Sequence, residues 1–141
     1  MKNLQTLCIL LLSILSIESC MSDDLIDVQT VGINETFTLD FQETATLVQE
    51  SFQIKIIDII EDSRCPTEDS ANCFWIGQVR ATIEINIEGQ LINREIMFRH
   101  GKETPLIYGE YTIKIEKVIP ENQIDEVIEL DEYRFEIKIS K

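Results

Sequence analysis

The chain has 141 residues and a formal net charge of −14 at pH 7, with 44% apolar and 27% charged side chains. This composition is typical of a single folded domain and excludes disordered and collagen-like classes, because only five glycines and three prolines are present. The acidic balance also disfavours nucleic acid as a partner, since phosphate binding requires a basic face.

The first residues of the chain combine one positive charge with a short apolar run that ends at a cysteine. Lys2 precedes an apolar run from Leu7 to Ile17, which is too short to span a bilayer. The run ends in Ile17-Glu18-Ser19-Cys20, which resembles a lipobox with glutamate in place of the usual small or apolar residue. The resemblance implies removal of residues 1–19 and acylation of Cys20, which anchors the protein to a membrane. Simple secretion is the alternative.

Residues 20–32 are expected to form a flexible lipidated tether in front of a single domain of residues 33–141. The Ser22-Asp23-Asp24 stretch resembles an export signal of Bacteroidetes-type lipoproteins, which implies display on the outer face of the outer membrane. A solvated tether without a sorting role is the other interpretation. The net negative charge keeps the domain off anionic lipid headgroups, so attachment depends on the lipid.

Apolar residues of the remaining chain recur with a period of two, which predicts β-strands with one buried face. The alternating segments are residues 37–41, 81–88, 111–116 and 133–140, and two less regular segments, 52–60 and the weaker 91–98, are also expected to be strands. The doubled Ile56-Ile57 predicts a β-bulge or a strand buried on both faces. Glu88-Gly89-Gln90 predicts a hairpin turn. Residues 121–130 are the best helical candidate, and we interpret them as a connection between the last two strands.

About seven strands of this spacing predict an all-β domain. The expected architecture is an antiparallel β-sandwich of Ig-like or Greek-key type. A β-barrel is the alternative. The sequence contains no internal repeat and no sign of a second domain.

Two cysteines, Cys65 and Cys73, remain after removal of the signal and acylation of Cys20. An exported protein meets an oxidising compartment, so this pair is expected to form a disulfide. Zinc ligation is disfavoured because two thiolates and the single remote histidine, His100, do not complete a four-ligand site. We therefore expect no metal and no cofactor.

The two cysteines belong to a distinctive pattern at residues 62–77, Asp-Ser-Arg-Cys-Pro followed by Cys-Phe-Trp-Ile-Gly. The pattern resembles a signature of small, mostly uncharacterised bacterial lipoproteins, Asp-Ser-Arg-Cys-Pro…Cys-x-Trp-x-Gly. The resemblance implies an exported β-sandwich and brings no catalytic residues with it.

The residue types in this segment predict a structural clasp, formed by Asp62, Arg64, Pro66, Trp75 and Gly77 around the disulfide. Asp62 is expected to pair with Arg64, and Trp75 to pack its indole on the disulfide or the core. Gly77 allows a close backbone approach or a bulge. A rigid, displayed recognition loop is the functional alternative.

Two further features are weaker. Asp69-Ser70-Ala71 resembles the short O-glycosylation motif of some exported Bacteroidetes proteins, with Ser70 as the acceptor, although such tripeptides also occur by chance. A basic cluster is formed by Arg94, Arg99, His100 and Lys102. It indicates a solvated strand end more strongly than a site for an acidic glycan or partner.

Together these features predict a lipid-anchored outer-membrane lipoprotein on the cell surface. It would be a non-enzymatic binding or envelope-structural module with a protein or glycan ligand and no nucleic-acid partner. The alternative is a hydrolase-inhibitor-like domain that presents residues 62–77 to an enzyme, which is an argument from fold analogy. An enzyme is a third class, and it would need two acidic side chains facing each other in a cleft.

Overall fold

The computed structural model describes residues 28–69 and 72–141, which form two packed β-sheets. The described strands are β1 (Val28–Val31), β2 (Thr36–Asp40), β3 (Thr44–Leu47), β4 (Phe52–Asp62), β5 (Val79–Ile87), β6 (Gln90–Phe98), β7 (Leu106–Tyr108), β8 (Tyr111–Ile119) and β9 (Arg134–Ser140). Short 3-10 turns lie at Thr67–Asp69 and Leu130–Glu132. The signal of residues 1–19, the acylation site Cys20 and tether residues 21–27 lie outside the described residues.

The first sheet has the strand order β1-β3-β4-β5-β6, and the second has the order β2-β9-β8-β7. Neighbouring strands are antiparallel except β1 and β3, which run parallel. Neither sheet, as far as the structure describes it, closes on itself. The predicted all-β sandwich is therefore confirmed, and the barrel alternative is wrong.

Alternating apolar side chains of both sheets meet in one core. On β5 and β9 every second residue is buried, as the periodicity predicts. The largest buried side chains include Phe52, Ile54, Ile83 and Ile85 from the first sheet and Ile113, Phe135 and Ile137 from the second. This core fixes the ends of β4, β5, β8 and β9, which carry the candidate site.

The structure describes nine strands, three more than the six segments named from the sequence, because three short strands escape periodicity. β1 lies within the range assigned to the tether, so the sandwich begins before the predicted boundary at residue 33. It depends on parallel pairing with β3, which a local pattern cannot reveal. β3 and β7 are only four and three residues long, too short for alternation to stand out.

Local predictions elsewhere are confirmed. The register of β4 shifts between Ile56 and Asp58, where the doubled isoleucine predicts a bulge. Glu88 and Gly89 form the β5–β6 turn, both with positive φ. Residues 121–130 contain no α-helix and connect β8 to β9, as interpreted from the sequence.

Candidate functional site

Residues 62–77, which we call the clasp loop, join β4 to β5 at one end of the first sheet. The Cys65–Cys73 disulfide closes the loop, with the two Cα atoms 6.3 Å apart. Backbone pairing continues past both strand ends, since Ser63 N–H donates to Gln78 O at 2.8 Å and Cys65 N–H donates to Ile76 O at 3.0 Å. The predicted disulfide at the β4–β5 crossover is therefore present.

Asp62 and Arg64 form a two-pronged ion pair at the base of the clasp loop. Arg64 Nε donates to Asp62 Oδ1 at 2.9 Å, and Arg64 Nη2 donates to Asp62 Oδ2 at 2.6 Å. Their side chains are only 10% and 11% exposed. Two residues separated by one position lie on the same side of an extended chain, which is why the pairing could be predicted.

The same pair ties the clasp loop to the second sheet. Tyr133 Oη donates to Asp62 Oδ2 at 2.9 Å, and Arg64 Nη1 donates to Val118 O at 3.0 Å. Asn122 Nδ2 donates to Arg64 O at 2.6 Å. These three hydrogen bonds were not predicted, because the partners lie more than fifty residues apart along the chain. No local signal in the sequence identifies them.

Asp62 is held ionised by its surroundings. Burial alone raises the pKa of its carboxyl, but hydrogen bonds and charge from Arg64 and the Tyr133 hydroxyl outweigh burial and lower it. The pKa of the Tyr133 hydroxyl is raised by burial and by the hydrogen bond to Asp62. Both groups therefore keep the protonation states that the cluster requires across the neutral range.

This lowered pKa makes stability depend on pH. Because the folded-state pKa of Asp62 lies below the unfolded value of about 3.9, its contribution is full above that value. The contribution is lost as the pH falls through the lower folded-state pKa. We expect the unfolding free energy of Asp62→Asn, measured by denaturant titration at several pH values, to fall less steeply with acid than that of the original chain. Asp58→Asn, at an exposed carboxylate, should keep the original slope; equal slopes for all three proteins would contradict the assignment.

Pro66 and Gly77 shape the backbone of the clasp loop. Pro66 is half-buried and precedes the 3-10 turn at Thr67–Asp69. Gly77 has φ +79°, and a Cβ there would overlap with the carbonyl oxygen of Ser63. The close backbone approach predicted for Gly77 is confirmed.

Trp75 does not lie in the core, so the expectation of core packing is wrong. Packing of its indole on the disulfide stays a prediction. Its side chain is 53% exposed, and the Arg99 guanidinium lies 4.6 Å from the ring centroid. Phe74 is fully exposed and Ile76 is 57% exposed. The segment is held by the disulfide at Cys73 on one side and by the hydrogen bond from Cys65 N–H to Ile76 O on the other. We call Phe74, Trp75 and Ile76 the apolar tip.

The basic cluster lies beside the tip, on the turn after β6. His100 and Lys102 are exposed, and Arg99 also donates from Nη2 to Gln78 Oε1 at 2.6 Å. Arg94 lies farther back on β6, with its guanidinium 5.8 Å from the Tyr108 ring centroid. The structure thus places Arg99 and His100 next to the clasp loop, with Lys102 on the same turn, and leaves Arg94 apart.

A groove of about 560 Å³ lies between the clasp loop and β8. Ile76, Phe98, Val118 and the disulfide form its apolar part. His100 and the carboxylates Glu116, Glu121 and Glu136 form part of its polar lining. Glu116 accepts a hydrogen bond from Thr36 Oγ1 at 2.8 Å, and Glu121 accepts one from Thr67 Oγ1 at 3.2 Å.

The remaining predicted features are a glycosylation site, the absence of a metal site and the membrane anchor. Ser70 lies outside the described residues. Within residues 28–69 and 72–141, no group of three or more His, Cys, Asp or Glu side chains is placed to hold a metal ion. Helices in the same ranges are too short and too polar to cross a membrane.

Comparison with known protein families, curated proteins and solved structures gives no match.

Proposed function

We propose that this protein is a lipid-anchored outer-membrane lipoprotein, displayed on the cell surface, that acts as a non-enzymatic protein-binding module. The anchor is supported by the lipobox resemblance around Cys20. Surface display is supported by the Ser22-Asp23-Asp24 stretch. The binding role is supported by the apolar tip.

The binding role rests on three consecutive large apolar side chains, Phe74, Trp75 and Ile76, which are all exposed on a loop held at both ends. Aromatic residues that enter a partner's pocket dominate binding at many protein interfaces. The disulfide and the Asp62–Arg64 pair hold the loop, so little conformational entropy is lost when it binds. A protein ligand is favoured over a glycan because Phe74 and Ile76 offer no hydrogen-bonding groups in their side chains.

A hydrolase-inhibitor-like role is the second candidate. It is favoured by the complete exposure of Phe74 on a loop tied at both ends, since such a side chain suits insertion into an enzyme cleft. In that case the captured partner would be a hydrolase, and adding the protein would lower that enzyme's activity. A partner without hydrolase activity would exclude this candidate.

Site-specific crosslinking in intact cells tests the binding role. A photo-crosslinking phenylalanine analogue at position 74 is expected to give a discrete protein adduct in the membrane fraction. Leu91 provides a matched control, since it is an apolar side chain that is 62% exposed. It lies near the start of β6, about 23 Å along the strand from Phe98, which lines the groove next to the apolar tip. The analogue at position 91 should give no such adduct, and Trp75→Ala should weaken the adduct formed at position 74.

The Cys20→Ser variant, carrying the same analogue at position 74, tests the anchor. It is expected to leave the membrane fraction, because acylation at Cys20 is then impossible. Retention of this variant in the membrane would contradict the lipid anchor. Identical adducts from positions 74 and 91 would contradict the role of the apolar tip.

A further inference from the structure

The second half of β8 has a free backbone edge. β9 pairs with β8 from Thr112 to Ile119, whereas β7 pairs only with Tyr111–Ile113 on the other side. Within the described residues no other strand is hydrogen-bonded to β8. The Arg64 side chain donates a hydrogen bond to the backbone of β8 only at Val118 O. Residues 114–117 therefore have no neighbouring strand on this side, and those of their backbone groups that point to it have no strand partner.

This free edge lies in a continuous depression. A groove of about 250 Å³ follows β8 at Lys114, Ile115 and Glu116, and the larger groove continues along Glu116, Lys117 and Val118. Phe98 and His100 line both grooves from the opposite side. Four residues of β-strand span about 13 Å, and the depression runs beside four such residues, 114–117.

A β-bulge shapes the outer side of this edge. The register with β9 shifts between Ile115 and Lys117, which leaves Glu116 as the extra residue. Glu116 and Lys117 are consecutive and both exposed, whereas the residues on either side, Ile115 and Val118, are buried. Bulges of this kind re-aim side chains near binding sites.

Charge indicates what the depression accepts. Arg99, His100 and Lys102 line one end of the depression, whereas Glu121 and Glu136 line the other end and Glu116 lies between them. At the basic end, Arg99 and Lys102 form no ion pair with any described residue. The Nε–H of Arg99 is buried and has no hydrogen-bond acceptor in the described part of the chain. Lys114 is neutralised by Glu103, an exposed pair that opens at little cost. Unpaired positive charge in a chain of net charge −14 favours an acidic ligand.

We propose that an extended segment of a partner protein adds as a strand to β8 between Lys114 and Lys117. In this partner segment, acidic side chains alternate with apolar ones. Backbone hydrogen bonds to β8 would supply affinity, and the alternating side chains would supply specificity. Apolar residues of the segment face Phe98 and Ile76, and acidic residues face the Arg99–Lys102 turn. The inference rests on the proposed binding role, because Ile76 belongs to both the tip and the groove.

A phage-displayed library of linear dodecapeptides, panned on the full chain, provides the probe. The enriched sequences are expected to alternate apolar and acidic residues and to slow hydrogen exchange at the amides of 114–117. His100→Trp fills the depression and should weaken binding of these peptides by about tenfold or more, because strand addition then loses its backbone contacts. Asn93→Trp, at an exposed position of β6, is the matched control and should leave binding unchanged.

Charge reversal gives a second measurement that does not depend on filling space. Lys102→Glu should weaken binding of the acidic peptides, whereas Lys55→Glu on β4, which lines neither groove, should not. Failure to enrich any peptide, equal binding to His100→Trp and the original chain, or unchanged exchange at 114–117 would each overturn the proposal. If the His100→Trp chain still forms the position-74 adduct in cells, the binding role stands and strand addition is overturned. The two proposals fail separately, because Trp75→Ala changes the apolar tip and His100→Trp changes the depression.

Discussion

Replacing Arg64 with alanine is expected to lower the free energy of unfolding by about 3–5 kcal/mol, because it leaves the Asp62 carboxylate buried without its cation. Asp62 and Arg64 are almost fully covered, and Arg64 also donates to Val118 O across the sandwich. The substitution therefore removes a charge partner and also disconnects the clasp loop from the second sheet. Denaturant unfolding followed by circular dichroism measures the loss.

The matched control is Arg80→Ala on β5. Arg80 also binds two carboxylates, Glu61 and Glu95, but the three side chains are about one-third to one-half exposed. Ion pairs in water contribute about 0–1 kcal/mol, so this control should lose little stability. Comparable losses for Arg64→Ala and Arg80→Ala would show that burial of the Asp62–Arg64 pair is not what matters.

Gly77→Ala is expected to have the second large effect. A non-glycine residue at positive φ costs of order 1–3 kcal/mol, and the added Cβ would in addition overlap with Ser63 O. The backbone must move, which breaks the hydrogen bonds from Ser63 to Gln78 and from Cys65 to Ile76. We expect a total loss above about 3 kcal/mol, or failure to form the clasp loop, in the same unfolding measurement.

Gly89→Ala separates strain from overlap. Gly89 also has positive φ, at +83°, but a Cβ there would meet no atom within 4 Å. Its loss should therefore be the conformational term alone, about 1–2 kcal/mol. If Gly77→Ala and Gly89→Ala destabilise equally, the close approach to Ser63 contributes nothing.

The clasp loop also decides how the apolar tip is presented, which links stability to binding. Because the loop is joined to β8 through Arg64 and to the β8–β9 connection through Asn122, its position depends on both sheets. The groove beneath it has walls from the same elements. Loss of the Asp62–Arg64 pair should therefore disturb the tip and the groove together.

Local sequence patterns determined most of the strands and part of the clasp. Alternating isoleucines predicted β5, β8 and β9, because side chains two positions apart share one face of a strand. The Ile56-Ile57 doublet predicted the β4 bulge, and the spacing of Asp62 and Arg64 predicted their pairing. Each of these depends on residues that are neighbours along the chain.

Tertiary structure alone decided the rest. The pairing of β1 with β3, the contact of Tyr133 with Asp62, and the free edge of β8 depend on which sheet faces meet and where each strand ends. Trp75 shows the limit most clearly: its apolar ring predicted packing on the disulfide or in the core, but it is half-exposed and lies against the Arg99 guanidinium. Such contacts join residues far apart in sequence, and periodicity carries no information about them.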